Sequence, residues 1–243
     1  MRLAVVRDEK TYVAVCLEEL AREVPDGALV ALPTGVSPRP LYRALREGAP
    51  RGLLEAARIL QLDEYVRPPR ADDAFALELA CEVLDPLGVP PERRVLLDAW
   101  ARDLEASCRA HDEAIARSGG IELALLGVGA NGHVGFNEPG TAPDAPTHVV
   151  ALTPATRLAN FGTLDPAVAP THAITTGLGA LRAARRVVVL VRGAAKRRPG
   201  LALLAGEPDP AWPVSLLADH PDLVVVWDAT TLGEPDGELA AGA

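Results

Sequence analysis

Asn131, His133, Asn137 and Glu138 fall within eight residues of one another in the stretch GVGANGHVGFNEPG, residues 127–140. A carboxylate beside an imidazole can orient the ring and tune it as a proton shuttle near neutral pH. His133 and Glu138 are five residues apart, a spacing unsuited to one helix face, so an irregular loop must bring them together. One histidine with amides and a carboxylate is thin ligation for zinc. A serine triad fits badly as well, because no GxSxG elbow occurs in the chain. The same stretch spells GxGxxG through Gly127, Gly129 and Gly132. A dinucleotide fingerprint also needs a helix opening at the third glycine and an acid about 20 residues later. Here the third glycine leads into HVGFNEPG, a poor helix, and THVVALTPA at 147–155 has no acid. The loop reads as one that carries chemistry of its own.

Two other segments carry candidate groups. LPTGVSPRP at 32–40 is a strand end, a turn and a helix start. Gly35 permits unusual backbone angles, and Thr34 and Ser37 put hydroxyls beside the free N–H groups of a first helical turn, an arrangement suited to phosphate. An ordinary capped turn has the same residues. LDEYV at 62–66 ends a strand with two acids, and strand alternation lets only one of Asp63 and Glu64 face a given cleft. A carboxylate there is placed to act as a base; a salt bridge for Glu64 or a helix cap at Asp63 would use the same residues structurally. Lys196 is one of only two lysines against 22 arginines, kept where arginine is the habit of the chain.

These groups need a frame that gathers them. Apolar runs suited to strands recur at 3–6, 28–32, 57–62, 121–128, 187–191 and 223–227, with weaker ones at 148–152 and 172–176. Helical patterns lie between many of them, at EKTYVAVCLEELAREV, SPRPLYRALRE, DDAFALELACEVL and DLEASCRAHDEAIARSG. Apolar strands alternating with helices predict an α/β, Rossmann-like, doubly wound fold, with a mostly parallel sheet and helices on both faces. In such a sheet ligands sit at the carboxyl ends of the strands, where all three loops fall. No repeat or linker divides residues 1–243, so one domain is expected, with about 233–243 a loose tail.

Composition narrows the function further. A net charge of −9 argues against a general nucleic-acid or anionic-membrane surface, while leaving room for local anion sites. Cys16, Cys81 and Cys108 are far apart and odd in number, which suggests reduced thiols used for packing. No signal peptide or membrane span is apparent, so a cytoplasmic location is expected.

Taken in order, LPTGVSPRPLY, LDEYV, GVGANGHVGFNEPG, TGLGAL and RGAAK resemble the glucosamine-6-phosphate deaminases over about residues 28–228. The related 6-phosphogluconolactonases typically carry DER for DEY and lack the FNEPG ending. The resemblance implies conversion of glucosamine 6-phosphate and water to fructose 6-phosphate and ammonia, with no cofactor and no metal. It assigns Asp63 the proton transfer between carbons 2 and 1, His133 ring opening, and Glu138 the tuning of that histidine. Thr34, Gly35, Ser37 and Lys196 match phosphate and substrate contacts. Three departures stand out. Asn131 replaces the aspartate of many members, as in other, commonly short bacterial, forms. The lid, usually AN-x-RFF with a phosphate-gripping arginine, reads RLANFGTLD, which leaves Arg157 as the nearest guanidinium before it. Regulated members carry basic residues soon after FNEP, where TAPDAPTHVV offers only His148. A galactosamine-6-phosphate deaminase, a 6-phosphogluconolactonase and a sugar-phosphate-sensing domain are the alternative readings. Sequence leaves monomer and homo-oligomer both open.

Overall fold

The computed structural model describes residues 1–22 and 25–233. Along them run β1 (Arg2–Val6), α1 (Glu9–Ala21), β2 (Leu29–Leu32), α2 (Arg39–Arg46), β3 (Arg58–Gln61), β4 (Asp63–Tyr65), α3 (Phe75–Leu79), β5 (Arg94–Val95) and α4 (Leu104–Arg117). β6 (Ile121–Gly127), β7 (His148–Ala151), α5 (Pro154–Phe161), β8 (His172–Thr175), α6 (Leu178–Arg182), β9 (Arg186–Val191), α7 (Arg197–Leu204), β10 (Leu223–Asp228) and α8 (Ala229–Leu232) follow. The longer helices start where the sequence offers a cap: Asp8 accepts the Thr11 N–H at 2.7 Å, and Asp103 accepts that of Ala106 at 2.9 Å.

Seven strands form a parallel sheet in the order β1-β10-β9-β6-β2-β3-β5. Alternate side chains feed two cores. Val30, Leu32, Leu123, Leu125, Val188 and Leu190 pack under α1, α2 and the 79–84 segment. Their neighbours Leu29, Ala31, Ala124, Leu126, Val187 and Val189 pack against α4, α6, α7 and the turn at 213–217. Both faces are covered, which is why these strands are apolar throughout rather than alternating. From β2 the chain steps outward through β3 to β5, then returns to the other side of β2 and steps away through β6, β9 and β10. The connections after β2 and β6 therefore diverge and open a crevice between them.

Two features depart from the sequence reading. The third strand does not run on through DEY: it ends at Gln61, and β4 joins β8 and β7 in a separate antiparallel sheet, with Asp63 opposite Thr175. Buried Gln61 bridges the break. Its amide donates to the Asp63 carbonyl at 2.9 Å and to Glu64 at 3.0 Å, and its oxygen accepts the Leu97 N–H. The helix expected over 72–84 is divided into a 3₁₀ turn at 71–73, α3, and a wide π turn over 80–84. Cys16 and Cys108 are buried packing residues, whereas Cys81 is exposed. The expected tail lies outside the described residues apart from Gly233. No helix among the described residues is long and apolar enough to cross a membrane.

Candidate active site

Four strand ends meet at one cleft of about 300 Å³. Residues 33–37 after β2, Leu62 and Asp63 after β3, Gly129, His133 and Gly135 after β6, and Lys196 after β9 line it. Phe75 and Asn160 complete the wall. Asn131 and Glu138 stand behind His133 and do not line the cleft.

The turn after β2 is fixed from behind. Tyr12 donates its hydroxyl to the Ser37 carbonyl at 2.8 Å, and Tyr42 donates to the Pro33 carbonyl at 2.7 Å. Gly35 has φ +86°, a conformation side chains rarely adopt, and a Cβ there would meet nothing within 4 Å. α2 begins after Pro38 with no side-chain cap, so the Ser37 hydroxyl does not serve as the helix cap its sequence position suggests.

β4 resolves the two acids. Glu64 is buried and accepts the N–H groups of Tyr65 at 2.8 Å, Phe75 at 3.0 Å and Ala76 at 2.7 Å. It is the structural member, holding the first turn of α3. Asp63 points the other way, ringed by protein atoms but keeping a partly exposed edge on the cleft. Burial, then the negative charges of Glu64 and Glu78, push its carboxyl up to about 7. A carboxyl poised there can both take and return a proton at neutral pH.

The loop after β6 is folded tightly on itself. The Gly129 N–H donates to the His133 carbonyl at 2.8 Å, and the Gly132 N–H to the Gly129 carbonyl at 3.0 Å. The His133 ring lies directly against Gly129, where any Cβ would overlap Nε2, Cε1 and Cδ2. Gly135, at φ +59°, brings the loop onto Thr175 and within reach of Asp63, and Thr175 accepts the Phe136 N–H at 3.0 Å. Buried Asn137 pins the loop by donating to the carbonyls of Val134 and Thr176.

His133 Nδ1 sits 3.7 Å from Glu138 Oε1, too long for a hydrogen bond, so the carboxylate acts on the ring as a nearby charge. The Asn131 side chain does not reach the imidazole. Its amide donates to Glu138 Oε2 at 2.6 Å, and its oxygen accepts the His133 backbone N–H at 3.2 Å. Thr156 donates to Glu138 Oε1 at 2.7 Å. Both carboxylate oxygens are thus held, and the carboxylate in turn faces the ring. Burial lowers the His133 pKa, with Glu138 opposing and Lys196 reinforcing the shift, so the ring is neutral at pH 7.

Lys196 lies in the short turn after β9, and its own pKa is lowered by burial. Arg157, the nearest guanidinium before the lid segment, does not line the cleft. Its guanidinium donates to the carbonyls of Leu164 at 2.7 Å and Ala169 at 3.1 Å, which ties the lid segment to itself. Sequence reasoning missed Thr156 and Asn160, whose short polar side chains carry no signal of a site 18 or more residues away. It also missed the cluster of Tyr65 with Phe75, Phe136 and Phe161, all three phenylalanines of the chain within 5.3 Å of one tyrosine ring. Asn160 donates to the Tyr65 hydroxyl at 2.8 Å and so ties α5 to this cluster.

Known proteins share this arrangement of chain. A family described as glucosamine-6-phosphate isomerases/6-phosphogluconolactonase matches residues 4–227. The chain is 38% identical over 236 residues to a glucosamine-6-phosphate deaminase of Streptomyces coelicolor, covering 94% of this chain and 90% of that one. A glucosamine-6-phosphate deaminase of Shouchella clausii is 37% identical over 221 residues, 88% of each. The solved structure of a monomeric glucosamine-6-phosphate deaminase superposes with a TM-score of 0.84 at 29% identity, covering 95% of this chain and 98% of that one. The 6-phosphogluconolactonase of Thermotoga maritima, at 21% identity and a TM-score of 0.70, shares the fold. With the match spanning nearly all of the chain, from β1 to β10, this protein belongs to the glucosamine-6-phosphate isomerase/6-phosphogluconolactonase family.

Proposed function

We propose that this protein isomerises and deaminates glucosamine 6-phosphate, releasing fructose 6-phosphate and ammonia. The observation that carries the reading is the shared cleft: a carboxyl near pKa 7 and a neutral imidazole line one cavity whose end is a phosphate-suited turn with a lysine. With the phosphate on residues 34–37 and Lys196, the sugar lies across Asp63 and His133. His133 accepts the proton of the anomeric hydroxyl or hands one to the ring oxygen, which opens the ring. Asp63 then removes the proton from carbon 2 and returns it to carbon 1. The resulting ketose imine takes up water and loses ammonia. Glu138, fixed by Asn131 and Thr156, offsets the proton that His133 gains during ring opening. A phosphate held apart from the reacting carbons supplies binding energy that positions them.

The test is ammonia release and fructose 6-phosphate formation across a panel of hexosamine 6-phosphates, with 6-phosphogluconolactone hydrolysis run beside it. Ammonia release from glucosamine 6-phosphate is expected. Lactone hydrolysis without ammonia release would overturn the reading, and a preference for galactosamine 6-phosphate would change the substrate.

A further inference from the structure

The turn that should receive the phosphate already holds an anion of the chain's own. Glu78, on α3, accepts the Gly35 N–H on Oε1 at 3.1 Å, and the same oxygen accepts Arg39 Nη2 at 3.2 Å. Gly35 belongs to the turn after β2, and Arg39 opens α2 behind it. One carboxylate oxygen seated between a turn amide and a guanidinium makes the two contacts a phosphate oxygen would make in that place. The space beside Gly35 is open. Glu78 is partly buried at 24% exposure and Arg39 half exposed, so both side chains can swing without disturbing the core.

The cleft is also short of cations for a phosphate. Arg157 lies outside the cleft with its Nη2 on the carbonyls of Leu164 and Ala169, and Lys196 is one cation facing a dianion. A phosphate arriving beside Glu78 meets a like charge unless that carboxylate leaves, and its departure frees Arg39.

We propose that Glu78 is an internal stand-in for the substrate's phosphate: the incoming phosphate displaces it from the Gly35 amide, and the released Arg39 pairs with the phosphate in place of a lid arginine. This rests on the proposed function for the identity of the substrate, but not for the exchange itself, which any phosphate monoanion or dianion can drive. Glu78 thereby sets a threshold that an unphosphorylated sugar cannot cross, since it carries nothing to replace the carboxylate.

Binding of inorganic phosphate, measured by titration calorimetry on the wild-type protein and on Glu78→Gln, Glu78→Ala and Arg39→Ala variants, tests the exchange without requiring turnover. Glu78→Ala should tighten phosphate binding about 3- to 10-fold, and Glu78→Gln, which keeps the oxygen and loses the charge, at least about 2-fold. Arg39→Ala should weaken it about 10-fold, the scale of a lost charge-assisted pair. The ratio of kcat/KM for glucosamine 6-phosphate over glucosamine should rise in the Glu78 variants and fall in Arg39→Ala. Unchanged or weaker phosphate binding in both Glu78 variants overturns the stand-in. So does unchanged binding in Arg39→Ala, or phosphate binding undetectable in wild type and Glu78→Ala alike. A protein that shows the binding changes but releases no ammonia keeps the exchange and loses the proposed reaction.

Discussion

Replacing Asp63 with asparagine should remove activity and strengthen the fold, and the second effect should depend on pH. The side chain keeps its shape, so loss of the base alone should lower turnover at least about 100-fold. The stability effect follows from the raised pKa. An unfolded aspartate titrates near 3.8, and Asp63 in the folded chain near 7, with burial the largest cause. Between those values the native state holds a proton that the unfolded chain has lost, so stability falls as pH rises from about 4 through 7. Above 7 the folded protein carries a desolvated charge. At about 1.4 kcal/mol per pH unit the cost cannot exceed about 4–5 kcal/mol, and the partly exposed edge on the cleft brings it nearer about 2 kcal/mol. Asp63→Asn never carries that charge. Urea denaturation midpoints should therefore show the variant more stable by about 2–4 kcal/mol at pH 8, with the gap closing as pH falls toward 4. In the same pH series the wild-type kcat/KM should rise along a limb centred near 7. A variant less stable than wild type at pH 8, or a gain that does not change with pH, would falsify the argument that Asp63 sits under desolvation strain.

Lys196→Ala should raise KM for glucosamine 6-phosphate about 10- to 100-fold and change kcat less, because a phosphate grip of equal strength in ground and transition states acts on binding; an unchanged preference for phosphorylated over free glucosamine removes the lysine from that role. Gly129→Ala drives a methyl into the His133 ring, so turnover should fall about 10- to 100-fold while inorganic phosphate still binds; wild-type turnover would mean the ring's position is not critical. Residues 141–150 offer only His148 as a basic side chain, and His148 Nδ1 is engaged with the Pro146 carbonyl. Saturation should be hyperbolic and indifferent to N-acetylglucosamine 6-phosphate, and a sigmoidal curve abolished by that ligand would refute this.

Much of the frame was legible because burial on both faces leaves a strong mark. Runs such as VVVLV and LVVVW can hardly be anything but central parallel strands, and the chemistry-bearing turns fall at their ends. The side of the strand on which Asp63 lies could be narrowed by alternation but not chosen, since the choice depends on Glu64 finding two backbone donors, of Phe75 and Ala76, across the turn. The antiparallel β4-β8-β7 sheet was hidden because a three-residue strand has no periodicity to read. Asn131 illustrates the other limit. It lies two residues from His133 in the chain, yet no spacing rule pairs its amide with the carboxylate of Glu138, where the fold places it. The role of Glu78 was invisible for a simpler reason: 43 residues separate it from Gly35, and only the folded chain brings them together.

The pairing of β1 with β10 also constrains how the molecule can be made. Arg2 aligns with Val224 and Val6 with Asp228, and the clasp beside that pairing, Arg22 to Asp222 at 2.9 Å, joins residues 200 positions apart. β2, β3 and β6 can pair as they emerge, but among the described residues β1 has no other neighbour in the sheet. At about 5–20 residues per second of synthesis, its apolar residues wait about 10–40 s for their partner. In refolding of the whole chain β10 is already present, and only the cost of closing so long a loop before any contact rewards it remains. The cleft lies at strand ends well inside the sheet, yet β9, which brings Lys196, is held between β6 and the late-arriving β10. In a nascent chain the turns that carry Asp63 and His133 are fixed only once Thr175 and Val214 have emerged, shortly before β10 seals the sheet's outer edge.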